Sequence, residues 1–333
     1  GCNRGKESIK IDLKTRAGQA VIRDMASQVD VVIHNFRPGT MESLNLGCDA
    51  LRTINPRLIY MAISGFGTEG PLRRAPAYDP IIQAHSGMAA TQGGDDSPAF
   101  IRSLLCDKIT AYTACQAVTS ALFARERSGE GQLIDLSMLD SGLFFMFPDG
   151  FQNHALLDED AIPGGMLIDI LYDLTLTKDG GITVAAANQE MQGRMLKAIG
   201  LLHLLGDERF STMQKLVENL HIFRGLVAEK CLEYTSDELL ALLREVEVPC
   251  AKCLSRDEVL AQEQLSANDS IAEVDHPYLG TLRVIKAPPR FGGERLEPSR
   301  PVPAHGEHTD AVLADFGLDS QRINTLRSEG VLG

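Results

Sequence analysis

Apolar Ile9, Ile11 and Leu13 alternate with polar Lys10, Asp12 and Lys14, and this period of two predicts a half-buried strand from Ser8 to Leu13. A helix is expected next, from Ala17 to about Gln28, with Thr15 as its cap. The pattern then continues with a strand at Val31–His34, a helix around Cys48–Ile54, a strand at Leu58–Ile63 and a helix around Asp79–Ala90. A long helix from Lys108 to Arg127, a strand at Leu133–Leu136 and a helix from Met138 complete the first half. Short β-branched strands alternating with helices imply an α/β fold with a doubly wound, mainly parallel sheet.

Asp158-Glu159-Asp160 followed by Pro163-Gly164-Gly165 shifts the composition to acid and breakers, which marks a domain boundary. Residues 1–160 are thus expected to form the large α/β domain and residues 161–265 a smaller α+β domain. The latter should hold a strand pair near Leu171–Leu176 and Ile182–Ala187, then helices up to about Gln262. Between His276 and Gly306 lie Pro277, Pro288, Pro289, Pro298, Pro301 and Pro303, which predict an extended arm with one hairpin at Tyr278–Ile285. Short helices near Asp310–Phe316 and Ser320–Ser328 close the chain, so residues 266–333 read as an arm and terminal helices returning to the large domain.

The 333 residues carry a net charge of −13, which argues against a nucleic-acid or anionic-membrane partner, since both are met with clustered positive charge. Hydrophobic residues at 44% supply a real core and exclude wholesale disorder. No apolar run approaches the roughly 18 residues that span a bilayer, and no apolar signal core opens the chain. The seven Cys are irregularly spaced and read as reduced thiols, so a cytoplasmic location is expected. Against the acidic total, the first 16 residues hold Arg4, Lys6, Lys10, Lys14 and Arg16 with only Glu7 and Asp12. Lysines protecting a strand edge would explain this, and so would a phosphate site sized for a nucleotide.

Candidate chemistry is sparse. Gly65-Phe66-Gly67-Thr68-Glu69-Gly70 matches G-x-G-x-x-G after a strand, but Pro71 and Arg73-Arg74 continue a loop where a dinucleotide site needs a helix. Such a loop can still bring backbone N–H groups close to a ligand. Asp107 stands before the long helix, where it could be the N-cap, or a carboxylate held ionised by the helix dipole for nucleophilic work. That helix is unusually small and polar, with Thr110, Ala111, Thr113, Ala114 and Ala117. Cys250-Ala251-Lys252-Cys253 lacks a second pair, and Gly306 breaks the spacing of His305 and His308, so no metal is expected. No G-x-S-x-G elbow and no P-loop occurs.

Several segments in order resemble the family III CoA-transferases of the CaiB/BaiF type, a group that includes formyl-CoA transferase and alpha-methylacyl-CoA racemase. They are Asn3-Arg4-Gly5-Lys6-Glu7-Ser8-Ile9 with Asp12-Leu13-Lys14, Asn35-Phe36-Arg37-Pro38-Gly39, and Asn55-Pro56-Arg57-Leu58-Ile59-Tyr60. Further on come Ser64-Gly65-Phe66-Gly67 with Gly70-Pro71, Ala77-Tyr78-Asp79, Gly131-Gln132 with Asp135-Leu136-Ser137-Met138-Leu139-Asp140, His276-Pro277 with Leu279-Gly280, and Gly306-Glu307-His308-Thr309.

The resemblance implies a Rossmann-like large domain that binds CoA, an interlocked homodimer, and transfer of CoA from an acyl-CoA to a free carboxylic acid, with no metal. Asp107 matches the nucleophile, which forms a mixed anhydride and then an aspartyl-CoA thioester. Tyr78, Gly65, Gly67, Gly164 and Gly165 match the active-site wall, and the glycine loops could supply N–H groups to tetrahedral oxyanions. Ile11, Lys14, Asn35, Phe36 and Arg37 match positions along CoA. The racemase branch carries His where Tyr78 stands and Glu where Asn188 stands, and a phenol is a poor substitute for a neutral-pH imidazole, so transferase is preferred. Family members begin with a strand-loop-helix unit before the Asn-Arg-Gly-Lys motif, whereas this sequence opens at Gly1-Cys2-Asn3. The expectation is therefore a large domain lacking that unit, with a non-catalytic CoA-binding remnant as a further alternative. Arg73, Arg74, Arg102 and Lys108 could hold the second carboxylate of a dicarboxylic acid, or simply be solvated.

Overall fold

In the computed structural model, which describes residues 2–158, 174–186, 188–298 and 300–333, the chain divides into two compact units. One joins residues 1–148 to 266–333, and the other spans 149–265. The centre of the first is a three-stranded parallel sheet of β1 (Val31–His34), β2 (Ile59–Ser64) and β3 (Leu133–Ser137), in that spatial order. Ile59, Tyr60 and Met61 of the middle strand are buried, and this is why β2 reads as an apolar run and not as an alternation. Around the sheet pack α1 (Arg16–Ala26), α2 (Thr40–Ser43), α3 (Cys48–Ile54), α4 (Asp79–His85), α5 (Met88–Gly93), α6 (Leu105–Ser128) and α7 (Met138–Gly150). Ala26, Met41, Leu46, Leu51, Leu58 and Tyr60 form one core cluster, within which the Tyr60 hydroxyl donates to Leu46 O at 3.1 Å.

Local chemistry explains most of these boundaries. Thr15 caps α1, accepting the Gly18 N–H. Helix α6 ends at Gly129, whose φ of 78° is the left-handed conformation that lets its N–H reach back to Arg125 O. Thr110, Thr113 and Thr119 return their hydroxyls to the carbonyls four residues earlier, so its small polar face is satisfied within the helix. The Asn55-Pro56-Arg57 segment is a clasp: the Asn55 amide donates to Ala26 O and Val29 O, and buried Arg125 donates to Arg57 O while pairing with Asp30 at 2.8 Å.

Three expected elements differ. Residues 8–13 are extended without forming a strand; Ile11 makes a single antiparallel bridge to Leu332, and the backbone is met instead by Thr309, His308 and Val331. The alternation reports an extended chain with one buried side, and its partners include the start of a helix, Thr309–Asp315 with its cap residue His308, some 300 residues later. The helix expected over 79–90 is two, α4 and α5, because Gly87 turns left-handed at φ 78°. The arm holds two hairpins: β7 (Ile271–His276) with β8 (Gly280–Ile285), and β9 (Arg290–Phe291) with β10 (Glu294–Arg295) around Gly292-Gly293, both with positive φ. Buried His276 sits at the first turn, its ring joining Val302 O and accepting the Tyr278 N–H.

In the second unit β4 (Thr175–Leu176), β5 (Gly181–Val184) and β6 (Cys250–Lys252) form an antiparallel sheet. Helices Gln189–Ala198, Leu220–Cys231 and Ser236–Glu245 contribute Leu196, Cys231, Leu239 and Leu243 to its core, together with Ile182 of β5. The start of the expected strand near Leu171 lies outside the described residues. Among the described residues no helix is long and apolar enough to cross a membrane, and no cluster of side chains is suited to a metal ion.

Candidate active site

In parallel α/β sheets the carboxyl ends of the strands leave a crevice in which ligands bind. Such a crevice is present here as a cavity of about 590 Å³. Asn35, Phe36, Arg37 and Pro38 follow β1, Ile63 and Ser64 end β2 with Gly65 just beyond, and Met138 follows β3; all line it. Opposite them stand Arg73, Tyr78 and, from the first two turns of α6, Asp107, Thr110 and Ala111. Asp107, Thr110 and Ala111 are three and four residues apart and so share a helix face.

The loop after β2 is held by close approach. A Cβ on Gly65 would stand 2.2 Å from Ala77 Cβ, so the absent side chain lets this loop touch the segment leading to Tyr78. Gly67, at φ 92°, donates its N–H to Ser64 Oγ at 3.1 Å and does not line the cavity. Phe66 packs edge-on against His85.

Asp107 is not the N-cap. Helix α6 starts at Leu105, Leu104 occupies the cap position without a side-chain bond, and Asp107 is the third helical residue. Its N–H is accepted at 3.0 Å by Oδ2 of Asp79, a carboxylate only 3% exposed. The direction of its acidity also runs against what a helix dipole alone would give. Burial pushes the Asp107 carboxyl above its ordinary value, the nearby Asp79 carboxylate adds to this, and Lys108 opposes it. The Lys108 ammonium is itself tied to Ser103 Oγ and Leu104 O. No hydrogen bond or ion pair engages the Arg73 guanidinium among the described residues.

Asp107, Tyr78, Gly65, Asn35, Phe36 and Arg37 therefore share one cavity. Ile11 and Lys14 do not line it: Ile11 packs on the cluster of Val21, Leu313 and Leu326, and Lys14 is exposed. Gly164 and Gly165 lie outside the described residues. Asp79, quoted only as part of the Ala77-Tyr78-Asp79 segment, and Gln83 are the site-supporting residues whose role sequence reasoning missed. Besides that segment, the signal was a pair of polar residues four apart at the start of an otherwise apolar helix.

The sequence pattern of CoA-transferase family III matches residues 1–309. The succinyl-CoA--D-citramalate CoA-transferase of Chloroflexus aurantiacus is 32% identical over 99% of this chain and 83% of its own length. The succinate--glutarate CoA-transferase of Agrobacterium fabrum is 30% identical over 94% of this chain and 79% of its own. A crystal structure of a CaiB/BaiF family protein from Brucella suis superposes with a TM-score of 0.80 at 30% identity, covering 95% of this chain and 83% of that one. Sequence and fold thus agree over nearly the whole length, and the chain belongs to CoA-transferase family III.

Proposed function

We propose that Asp107 is the covalent nucleophile that carries CoA from an acyl-CoA donor to a free carboxylic acid. Its carboxylate attacks the thioester carbonyl, giving a mixed anhydride and CoA thiolate; the thiolate then attacks the aspartyl carbonyl, giving aspartyl-CoA and releasing the first acid. The acceptor carboxylate attacks aspartyl-CoA, thiolate leaves again, and its return to the acceptor's carbonyl yields the new acyl-CoA and restores Asp107. Dividing one difficult displacement among such steps is the benefit of covalent catalysis. The observation that carries this reading is Asp107 facing the cavity at the carboxyl ends of the parallel strands, its basicity raised by burial and Asp79.

Tyr78 and Gly65 form the wall beside the nucleophile, with Asn35, Phe36 and Arg37 along the pantetheine and phosphate path and Ile11 and Lys14 toward the nucleotide. Gly67 supports the loop through Ser64, and Gly164 and Gly165 are proposed for the second wall. For the acceptor, a dicarboxylic acid fits best. The names of the Chloroflexus and Agrobacterium relatives specify such acids, and Arg73 brings to the cavity of Asp107 a guanidinium with no partner among the described residues. The racemase alternative is disfavoured by Tyr78 and also by Asn188, whose side chain accepts the Met191 N–H at 2.8 Å as a helix cap. The doubly wound large domain and the interlocked homodimer are part of the proposal. Exposed Phe144 (84%) and Phe145 (53%) on α7 support burial of that helix against a second chain.

Incubation with succinyl-CoA followed by intact-mass analysis tests the central claim. A CoA adduct on the wild type that hydroxylamine removes, and that is absent from Asp107→Ala together with turnover, is expected. Undiminished turnover by Asp107→Ala would overturn it, as would deuterium exchange at C2 of the acyl group without any adduct.

A further inference from the structure

We infer that Asp79, backed by Gln83, is a positioning residue that fixes the nucleophile through its backbone and sets the charge environment in which it works. This rests on the reading of Asp107 as nucleophile. The first turn of an α-helix has N–H groups without intrahelical partners, and a side chain at the N-cap normally takes one. Leu104 cannot do so in α6. The N–H of Asp107 goes instead to Asp79 Oδ2 at 3.0 Å, from a residue 28 positions earlier on a different helix. The nucleophile's own peptide group is thereby tied to α4.

Gln83 completes the brace from one turn further along α4. Its Nε2 donates to Asp79 Oδ1 at 2.6 Å, and also reaches Ile101 O and Ser103 O, both at 3.1 Å. Its Oε1 accepts the Ile101 N–H at 3.0 Å. Asp79 and Gln83 are 3% and 1% exposed, so these bonds act in a low dielectric and are not exchanged for water. The pair thus joins α4, the loop 101–104 and the third residue of α6, and Tyr78, which lines the cavity, precedes Asp79 directly. Tyr78 and Asp107 are held relative to each other through one carboxylate.

The choice of a carboxylate has a second consequence. An Asn at position 79 could accept the Asp107 N–H, but its amide nitrogen would then meet the Gln83 amide nitrogen. Turning Gln83 over to relieve this would give up the Ile101 N–H bond. The Asp79 carboxylate accepts on both oxygens without conflict, and its charge opposes ionisation of Asp107, keeping the nucleophile more basic. Other charged or titratable groups around Asp107 are Lys108 on its own helix, buried Cys106, whose thiol burial pushes up to about 11, and Arg37, Arg73 and Tyr78 across the cavity.

The test compares Asp79→Asn, Gln83→Ala and Asp107→Ala with wild type, measuring melting temperature, kcat and KM against pH, and the CoA adduct by mass. Since a displacement of about 1 Å at a reacting group can lower turnover about 10²-fold, Asp79→Asn is expected to lose kcat by up to that factor, with little change in KM for acyl-CoA. Removing the like charge should also move the acid limb of its kcat profile to lower pH. Gln83→Ala should lower kcat while leaving that limb in place, because it removes a bond and not a charge; should Asp79→Asn not fold, this kcat loss at unchanged KM carries the test. A folded Asp79→Asn with wild-type kcat and an unmoved acid limb overturns the inference, and so does Gln83→Ala with wild-type kcat. Loss of the adduct in Asp107→Ala alongside such results would leave the nucleophile reading intact, whereas an active Asp107→Ala sinks that reading first.

Discussion

Adding one methyl at Gly65 should displace the cavity wall, and the geometry says by how much. An ideal Cβ at Gly65 falls 2.2 Å from Ala77 Cβ, whereas carbon atoms in favourable contact are about 3.5–4.0 Å apart, so the loop and the Ala77 segment must separate by more than about 1 Å. Overpacking of this kind costs about 1–3 kcal/mol. At about 2–4 °C per kcal/mol for a unit of roughly 200 residues, the melting temperature should fall by roughly 2–12 °C. Ala77 adjoins Tyr78 and Asp79, so the shift reaches both the cavity and the brace of Asp107, and a loss of turnover of up to about 10²-fold is expected. The informative variant is the exchange, Gly65→Ala with Ala77→Gly, which moves the methyl across the contact and removes the clash. Scanning fluorimetry and steady-state CoA transfer should both recover most of what Gly65→Ala loses. A Gly65→Ala protein with wild-type stability and turnover, or a double variant no better than the single one, would refute the steric reasoning.

Replacing Arg73 by Ala should raise KM for a dicarboxylic acceptor about tenfold, taking a charge-assisted bond at its weaker, exposed end as about 1.5 kcal/mol. KM for a monocarboxylate and the melting temperature should stay unchanged, because the guanidinium has no partner among the described residues; equal effects on both acids would remove its specificity role. In the second unit, the N–H and hydroxyl of Ser255 and then Lys252 hold the Glu258 carboxyl down at about 2. A depressed folded value contributes stability that is present above the unfolded value of about 4.3 and lost as pH falls toward 2. Glu258→Gln should therefore melt below wild type at pH 7, with the gap closing by about pH 2, and a gap independent of pH would count against this linkage.

Motifs and periodicity made the sheet, most helices and the cavity loops legible, because each depends on residues near one another in sequence. What stayed hidden depends on partners far away. Residues 8–13 have a strand's alternation, but a strand is defined by its neighbour, and here that neighbour is His308, Thr309 and the turn into Leu332. The cap of α6 was sought in the residue before the helix and is supplied by Asp79 from α4. The signal for the break at Gly87 was visible as Ser86-Gly87 and lost to the apolar pattern around it.

These cases also separate two kinds of family motif. In Asn55-Pro56-Arg57, His276-Pro277 and Gly306-Glu307-His308-Thr309, the side chains of Asn55, His276, His308 and Thr309 bond backbone atoms of distant segments, and none of the motif residues lines the cavity. Their chemistry is satisfied by the fold, so substitution there should act through stability. Asn35-Phe36-Arg37 and Tyr78 instead present exposed side chains to the crevice at the strand ends, where the protein gives them little to bind. An exposed polar or aromatic group facing a cavity adds little to folding that solvent could not replace, which fits the ligand-contacting role proposed for these residues. Asp79 crosses this division: it is as buried and as fully bonded as the clasps, yet the group it holds is the N–H of the proposed nucleophile, Asp107.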